Sequence, residues 1–489
     1  MIIQAMDKRL GEDVGLPYIL DELRVISPYG KYAKSMLQLY QPQEKACLIK
    51  ALNDVETMMQ SLLKEKHIWT SIETVMAKLK DVKLLIKNFT VQKVLDDVAL
   101  FEIKHVAMLM EDISAYYKQL TVSTDIRLTS MKALIDLLDP QNKGIQSFYI
   151  YDHYDPELSP IRKEKIRIEK EIFAEDNPQK IEVLKEQRLA LVVQEDKLET
   201  AIRKQLSAKI YAFKNKLLYN MDTIGRLDLL RAKGALAIHY KATKPIIEDG
   251  LKVQIKDARH PEVMAYLEKR GKSFVPISMQ LVEGVTILTG ANMGGKSVAL
   301  KTMILNILLA HMGFFVFAGE LRFGLFEYIC FVSDDMQSIS RGISTFGAEI
   351  LRINAMVEGI KQGKSFVILD EFARGTNPHE GALLVRALCK YLKEQHAISL
   401  LATHYDGIVD KGMTHYQVIG LKHMDKAALR AMIGSDPEKA IGHIQDKMNY
   451  NLEWVSEEAG VPQEALTVAE LLGLDAGIIT IARELGNME

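Results

Sequence analysis

The sequence predicts a mostly helical first half followed by an α/β second half with a largely parallel sheet. No proline occurs between Pro42 and Pro140, and apolar residues there recur three or four positions apart, the spacing of one helix face. After Gly250, short apolar runs alternate with helical patterns and glycine-bearing loops. Strands that alternate with helices are typical of a parallel sheet with helices on both faces.

The composition is that of a multidomain globular protein. At about 100–200 residues per domain, 489 residues predict three or four domains. Lysine plus arginine (62) nearly balances aspartate plus glutamate (64), so the basic surplus that often marks nucleic-acid binding is missing. Cys47, Cys330 and Cys389 are far apart, which predicts buried thiols in a reducing compartment rather than a metal or disulfide site.

No segment of the sequence resembles a membrane anchor or a signal peptide. The N-terminus lacks an apolar core, and the apolar runs elsewhere fall short of the ~20 residues that span a bilayer. We therefore expect a cytoplasmic protein with no membrane association.

Residues 1–155 are predicted to be mostly helical, with breaks near 28–30 and 139–140. One apolar stripe is expected on a single helix face, formed by Val91, Val94, Val98, Phe101 and Met108. Packing into a helical core is at least as good an explanation for this stripe as contact with a ligand.

An antiparallel helical hairpin is predicted from Ser159 to about Leu217. Apolar residues keep one stripe along it, in the order Ile161, Ile168, Ile172, Leu184, Leu191, Leu198, Ile202, Leu206, Ile210 and Phe213. The triplet 176–178 ends in proline, which breaks the helix and lets the chain reverse. Acidic and basic residues alternate along the hairpin, which favours a solvated face over a surface that follows nucleic-acid phosphates.

Three apolar runs in the second half predict buried strands, at 285–288, 366–369 and 398–401. The first run leads into Gly290-Ala291-Asn292-Met293-Gly294-Gly295-Lys296-Ser297, which matches a phosphate-binding P-loop. In such a loop, glycines let backbone N–H groups surround phosphate oxygens, lysine reaches the β- and γ-phosphates, and serine holds Mg²⁺. A strand before it and a helix after it disfavour a merely structural glycine turn.

The second and third runs end in polar residues that suit phosphoryl transfer. Asp370 can bind Mg²⁺, and Glu371 can orient or deprotonate an attacking water. His404 follows the third run and could contact the γ-phosphate. In isolation, paired acids are often solvated strand ends and a lone histidine is more often structural.

Four motifs, TGANMGGKSVALKT, STFGAE, ILDEFARGTNPHEG and LLATHY, resemble those of the MutS mismatch-repair ATPases in order and spacing. DARHP at 257–261 and Phe274-Val275-Pro276 extend the resemblance. It implies an α/β P-loop NTPase (ABC-type ATPase) domain at 251–445. An all-α lever domain with a short antiparallel helical hairpin (1–155 and 156–250) would precede it, and a C-terminal helical dimerisation element (446–489) would follow.

The resemblance also implies roles for particular residues. Phe274 would stack on adenine, Asn292 and Ser344 would help to read the nucleotide, and His404 would be the switch histidine. The segment 340–346 would complete the nucleotide site of the opposite subunit, which implies a homodimer that uses ATP and Mg²⁺. A helix N-cap at 344–346 is the plainer alternative. The loop 374–378 would couple the two sites.

The resemblance implies a shortened MutS form, because no mismatch-binding or Smr domain is recognised. The first functional hypothesis is a dimeric ATPase that moves its lever helices on mismatched or branched DNA. The alternative is a protein-remodelling ATPase, such as a reactivating factor for an adenosylcobalamin-dependent aminomutase. A third hypothesis is a structural dimer with a vestigial ATPase. It is disfavoured because the site residues are intact, namely Lys296, Ser297, Asp370 and Glu371.

Overall fold

The computed structural model describes residues 8–122, 124–144, 148–290, 294–333, 345–420, 448–456 and 465–486. The chain divides into two compact units. The first contains Met1–Leu23, Gln38–Glu56 and Ala235–Glu489, and the second contains Arg24–Leu37 and Thr57–Gly234. The four-domain division stays a prediction, because compactness alone does not test it.

Helices dominate the second unit, and strands occur in the first. The helices, numbered along the described chain, are α1 (Lys8–Asp13), α2 (Leu16–Glu22), α3 (Pro28–Ser35), α4 (Lys45–Lys64), α5 (Lys66–Met76), α6 (Lys83–Lys87), α7 (Asp97–Tyr117), α8 (Lys132–Leu138), α9 (Leu158–Ala174), α10 (Pro178–Tyr211), α11 (Lys214–His239), α12 (Pro261–Glu268), α13 (Lys296–His311), α14 (Thr345–Ile360), α15 (Pro378–Lys393), α16 (Ala465–Leu471) and α17 (Ala476–Gly486). The strands are β1 (Ile246–Ile247), β2 (Lys252–Ala258), β3 (Ile277–Val282), β4 (Gly284–Thr289), β5 (Glu320–Phe323), β6 (Tyr328–Ser333), β7 (Ser365–Asp370), β8 (Ala397–Ala402), β9 (Thr414–Gly420) and β10 (Asn449–Val455). Helices α4 and α11 contribute residues to both units.

The second unit is a helical bundle around one hydrophobic core, as the sequence predicts. The predicted break at 139–140 is confirmed, since α8 ends at Leu138. The earlier break lies slightly before its expected position, because Ser27 caps α3 by accepting a hydrogen bond from Gly30 N–H.

The predicted stripe from Val91 to Met108 is wrong over its first half. Val91, Val94 and Val98 are 60%, 44% and 64% exposed. The helix begins only at Asp97, because the Asp96 side chain accepts a hydrogen bond from Ala99 N–H at 2.8 Å and caps it there. Val91 and Val94 precede this cap and are not helical, so their spacing does not place them on a helix face. Val98 lies within the helix, on its exposed side.

Helices α9 and α10 form the predicted antiparallel hairpin. Asn177 caps α10, accepting hydrogen bonds from the backbone N–H groups of the first turn. Ion pairs cross between the helices, with Arg162 Nε 2.9 Å from Glu195 Oε1 and Arg188 Nη2 2.6 Å from Glu169 Oε1. The predicted stripe residues within the two helices are buried or half-buried, and Phe213 lies just beyond α10.

A six-stranded sheet organises the first unit in the order β10-β9-β4-β8-β7-β6. All neighbouring pairs are parallel except β10 and β9, and the three predicted strands are β4, β7 and β8. Alternate residues of these strands pack with α14 and α15, while the intervening residues are also buried and α13 contacts β7 and β8. A second sheet, in the order β1-β5-β2-β3, has no counterpart in the sequence prediction.

The P-loop helix α13 is tied at its C-terminal end to the segment before α4. Tyr40 N–H donates to His311 O at 2.7 Å, and His311 Nδ1 lies 3.1 Å from Tyr40 O. Gly313 has φ +69°, and a Cβ there would lie 3.4 Å from Ala51 Cβ and 3.6 Å from Leu48 Cδ1 of α4. The start of α4 therefore packs beside the end of the P-loop helix.

The cysteines are less uniform than predicted. Cys389 is buried and Cys330 is half-buried, but Cys47 is exposed, so the prediction of three buried thiols is wrong at that position. Cys47 lies on the solvent side of α4, and the adjacent Leu48 is buried. Among the described residues, no helix is long and apolar enough to cross a membrane.

Candidate functional site

The candidate site lies at the carboxyl ends of β4, β7 and β8. Leu288 of β4 pairs with Ala402 of β8, and Ala402 also pairs with Asp370 of β7. The P-loop leaves β4, the two acidic residues end β7, and His404 follows β8. Parallel pairing thus brings together three motifs, of which the P-loop and His404 are more than one hundred residues apart in the sequence. They meet at the edge where α/β proteins commonly bind ligands.

The glycines of the P-loop are required by backbone geometry and close packing. Gly290 has φ +148°, and a Cβ there would lie 2.9 Å from Val418 Cβ. Gly295, the N-cap of α13, has φ +81°, and a Cβ would lie 3.0 Å from Tyr450 Cδ1. Gly294, which precedes this N-cap, is also buried. The first residue of the loop and the N-cap of α13 therefore have backbone conformations and close contacts that favour glycine.

Lys296 is the first residue of α13 and is buried, at 5% exposure. Its Nζ donates to Gly290 O at 2.8 Å and lies 3.3 Å from Glu371 Oε1. The lysine therefore bridges the start of the P-loop and one of the two carboxylates predicted to be catalytic. A phosphate group bound in the loop would compete for the same ammonium group.

Asp370 is half-buried, and one oxygen of its carboxylate is buried. Burial raises its pKa, and the nearby Glu371 carboxylate also raises it, whereas a hydrogen bond from the Ser297 side chain opposes the increase. Its Oδ1 has no hydrogen-bond partner among the described residues. A buried oxygen without a partner is costly, and an Mg²⁺ ion would satisfy it. The hydroxyl of Ser297 and this carboxylate are oxygen donors of the kind Mg²⁺ prefers, so the pair fits the ion.

Glu371 leaves β7 in a strained conformation with its carboxylate held on both sides. Its φ is +52°, which is uncommon for a residue with a side chain. Oε2 lies 3.1 Å from Arg374 Nη1, opposite the contact with Lys296. Burial lowers the pKa of His404, and the Glu371 carboxylate partly offsets this. The electrostatic contact places His404 near the same carboxylate.

Three predicted site residues are not brought into this cluster by the described contacts. Phe274 is half-buried in the segment between α12 and β3, and its stacking on adenine stays a prediction. Asn292 and Ser344 lie outside the described residues, as does most of 340–346.

Comparison with known proteins identifies the domain that carries the site. A model of MutS domain V matches residues 286–485. Endonuclease MutS2 of Shouchella clausii is 31% identical over 287 residues, which cover 58% of this chain and 33% of that protein. DNA mismatch repair protein MutS of Ehrlichia ruminantium is 30% identical over 279 residues, covering 56% of this chain and 33% of that protein.

Residues 286–485 are thus identified as a MutS domain V, and the chain is similar to MutS-family proteins over more than half of its length. MutS domain V is the ABC-type ATPase domain of this family, which agrees with the α/β fold of the first unit. A further relative, Endonuclease MutS2 of Acetivibrio thermocellus, is 33% identical over 204 residues, covering 41% of this chain and 25% of that protein. The chain thus matches about a third of the length of its curated MutS relatives.

Two further residues of the site lie in the MutS-like motifs, although the sequence alone predicts no role for them. Glu349 closes the STFGAE motif, and its Oε2 accepts a hydrogen bond from Ala373 N–H at 3.0 Å. Tyr405 closes the LLATHY motif, and its hydroxyl donates to Ala373 O at 2.8 Å. Their positions in the motifs indicated that both residues could matter. Only the structure shows that both bond the backbone of Ala373, two residues after Glu371.

Proposed function

We propose that this chain is a MutS-type ATP hydrolase, cytoplasmic and homodimeric, that couples ATP binding and hydrolysis to movement of its helical unit. The observation that carries this is the meeting of Lys296, Ser297, Asp370 and Glu371 at one sheet edge, where a buried Asp370 oxygen has no partner among the described residues. This is the set of groups that phosphoryl transfer to water needs.

Each side chain has a distinct task in this proposal. The P-loop backbone and Lys296 bind the β- and γ-phosphates, whose oxygens replace the present lysine contacts with Gly290 and Glu371. Ser297 and Asp370 would hold Mg²⁺, which when bound supplies positive charge to the phosphate oxygens. Glu371, released by Lys296, orients the attacking water or accepts its proton. His404 is positioned to sense the γ-phosphate.

The homodimer and the action on DNA rest on the family. In MutS proteins the region corresponding to 340–346 completes the opposite nucleotide site, and the loop 374–378 and the C-terminal element would link the two copies. The relatives named as an endonuclease and as a DNA mismatch repair protein support DNA as the partner on which the movement acts.

ATP hydrolysis tests the chemistry directly. Lys296→Ala is expected to abolish ATP binding, because the ammonium that faces the phosphates is lost. Glu371→Gln is expected to retain ATP but to lower kcat by about 10²-fold or more, the usual worth of a positioned base. The matched controls are Lys361→Ala and Glu394→Gln, which alter exposed charges of the first unit outside the four motifs. Equal hydrolysis by wild type and Glu371→Gln would exclude the role given to that carboxylate.

One structural observation favours the alternative, a protein-remodelling ATPase acting for example on an adenosylcobalamin-dependent aminomutase. Residues 158–211 contain 12 Lys and Arg against 10 Asp and Glu. Several of these cations are already paired with carboxylates, including Arg162 with Asp152, Glu195 and Glu199, and Arg167 with Glu164 and Glu171. Paired cations have less to gain from DNA phosphates.

A binding series decides between DNA and protein as the partner. Purified protein is titrated with homoduplex, mismatched and branched DNA, with ADP and with ATP, at increasing salt. Structure-selective binding that depends on the nucleotide and persists at physiological salt supports action on DNA. Weak binding without structural preference, abolished by salt, excludes it and favours a protein partner.

A further inference from the structure

The loop that follows Glu371 contains a second strained residue, and that residue is held from two sides. Ala373 has φ +65°, and like Glu371 it is not a glycine. Such conformations are unfavourable and persist only where the surroundings enforce them. Ala373 is fully buried, so the enforcing groups must be protein groups.

Those groups are Glu349 and Tyr405. The Glu349 carboxylate accepts from Ala373 N–H at 3.0 Å, and the Tyr405 hydroxyl donates to Ala373 O at 2.8 Å. Both polar groups of one peptide residue are therefore bonded to side chains from other elements. Glu349 belongs to α14, and Tyr405 follows β8.

The neighbouring structure is built to allow this arrangement. A Cβ at Gly381 of α15 would overlap the Tyr405 hydroxyl and would lie 3.0 Å from Ala373 O. Only glycine therefore lets α15 approach the two bonded groups. Phe372 and Ala373 also pack in the core with residues of α14 and α15. On the other side, Glu371 N–H donates to Ala402 O at 3.0 Å, so Glu371 lies between two fixed backbone points.

We propose that Glu349 and Tyr405 are positioning residues for ATP hydrolysis, which hold Ala373 and thereby set the direction of the Glu371 carboxylate. The inference rests on the proposed ATPase function and deepens it. Glu349 lies in the second turn of α14, whose first two residues belong to the segment 340–346 predicted to complete the site of a second copy. Because the Glu349 carboxylate is attached to α14, the orientation of the Glu371 side chain depends on the position of α14.

The test separates turnover from binding. Glu349→Ala and Tyr405→Phe are expected to lower kcat about 10- to 100-fold, the effect of a small misplacement of a reacting group. The affinity for a fluorescent ATP analogue and the KM are expected to stay within about two-fold, because neither side chain belongs to the P-loop. Glu349→Gln keeps an acceptor oxygen for Ala373 N–H and is expected to restore most of the turnover.

Two exposed positions supply matched controls. Glu358→Ala removes a carboxylate of the same helix α14 that is 72% exposed and paired with Lys361. Tyr391→Phe removes a hydroxyl of α15 whose residue is 39% exposed. Both are expected to hydrolyse ATP at the wild-type rate.

A double variant shows whether the effect passes through Glu371. If Glu349 acts only by positioning that carboxylate, Glu349→Ala adds no further loss in a Glu371→Gln background. Full additivity, unchanged kcat in both single variants, or parallel loss of kcat, ATP affinity and melting temperature would each overturn the positioning role. Absence of hydrolysis by the wild type would instead overturn the proposed function itself.

Discussion

Environment gives the two neighbouring carboxylates of the site different roles. Asp370 completes β7 and is half-buried beside Ser297. Burial raises its pKa, and one oxygen remains available for a cation. Glu371 leaves the strand with φ +52° and points toward Lys296 and Arg374. The two residues are adjacent in sequence, but the backbone turns between them. Asp370 is therefore placed to bind a metal ion, and Glu371 is placed to act as a base.

Two buried histidines of the first unit give stability a pH dependence. Burial lowers the pKa of His260 and of His311 to about 4. One ring nitrogen of each lies near a backbone carbonyl, Val14 O or Tyr40 O. The other ring nitrogen is buried with no partner among the described residues. Both rings are therefore neutral in the folded protein near neutral pH.

The free energy of unfolding is expected to fall as the pH drops from about 6.5 toward 4. In this window the unfolded chain binds protons that the folded chain excludes, at a cost of about 2 kcal/mol per histidine by pH 5. His311→Gln keeps an N–H donor for Tyr40 O but cannot titrate, so urea denaturation at pH 7 and pH 5 should show a smaller difference for it. The exposed His67→Gln is the control, and an unchanged difference in His311→Gln would contradict the assignment.

The residues at the ends of helices determine where the chain of this protein turns. The hairpin reverses at Asn177 because its side chain caps α10 and Pro178 fits the first helical turn. The P-loop helix α13 begins at a glycine with positive φ and ends at the His311 contacts with Tyr40. Caps and glycines thus set the limits of the two elements that matter most for the proposed function.

Loss of the Asn177 cap should loosen the tip of the hairpin without unfolding the protein. Asn177→Ala is expected to destabilise the first turn of α10 by about 1 kcal/mol. Hydrogen exchange of the backbone amides at 179–184 should accelerate by about five-fold, the equivalent of that energy. Asp176→Ala, beside the cap on the exposed tip, is the control. Equal exchange in both variants would mean that the cap contributes nothing measurable.

At the scale of the whole molecule, the chain passes repeatedly between its two units, and α4 and α11 contribute to both. Helix α4 begins beside the C-terminal end of α13, where Leu48 and Ala51 pack near Gly313. Within the second unit, Ser61 of α4 accepts a hydrogen bond from the Trp69 indole N–H at 2.9 Å. A continuous helix therefore connects the end of the P-loop helix with a natural fluorophore.

Nucleotide binding should alter the fluorescence of Trp69 if ATP moves the helical unit. The chain has two tryptophans, and Trp454→Phe removes the one that is 71% exposed. In a Trp454→Phe/Glu371→Gln protein, saturating ATP with Mg²⁺ is expected to change the emission of the buried Trp69. The same addition to Trp454→Phe/Lys296→Ala should have no effect. Saturated ATP binding with unchanged emission would show that the movement does not reach α4 at Ser61.

The sequence by itself determined three strands of the six-stranded sheet, the strand and helix on either side of the P-loop, and the hairpin, because these depend on local patterns. Apolar runs marked β4, β7 and β8, glycine spacing marked the phosphate loop, and Asn177-Pro178 marked the reversal. It failed where a local cap overrode periodicity, as at Asp96. It also did not find the four-stranded sheet, whose strand β3 alternates buried and exposed residues instead of forming a continuous apolar run.

Only the tertiary structure decided which distant groups act on one another. Ser27 N–H and Oγ both donate to Asp228 Oδ2, 201 residues away, at 2.7 and 2.8 Å. Glu349 and Tyr405 meet at Ala373 in the same way. Local propensity specifies an element from its own residues, whereas the orientation of a catalytic carboxylate depends on backbone contacts between elements, which arise only when the sheet and its helices pack.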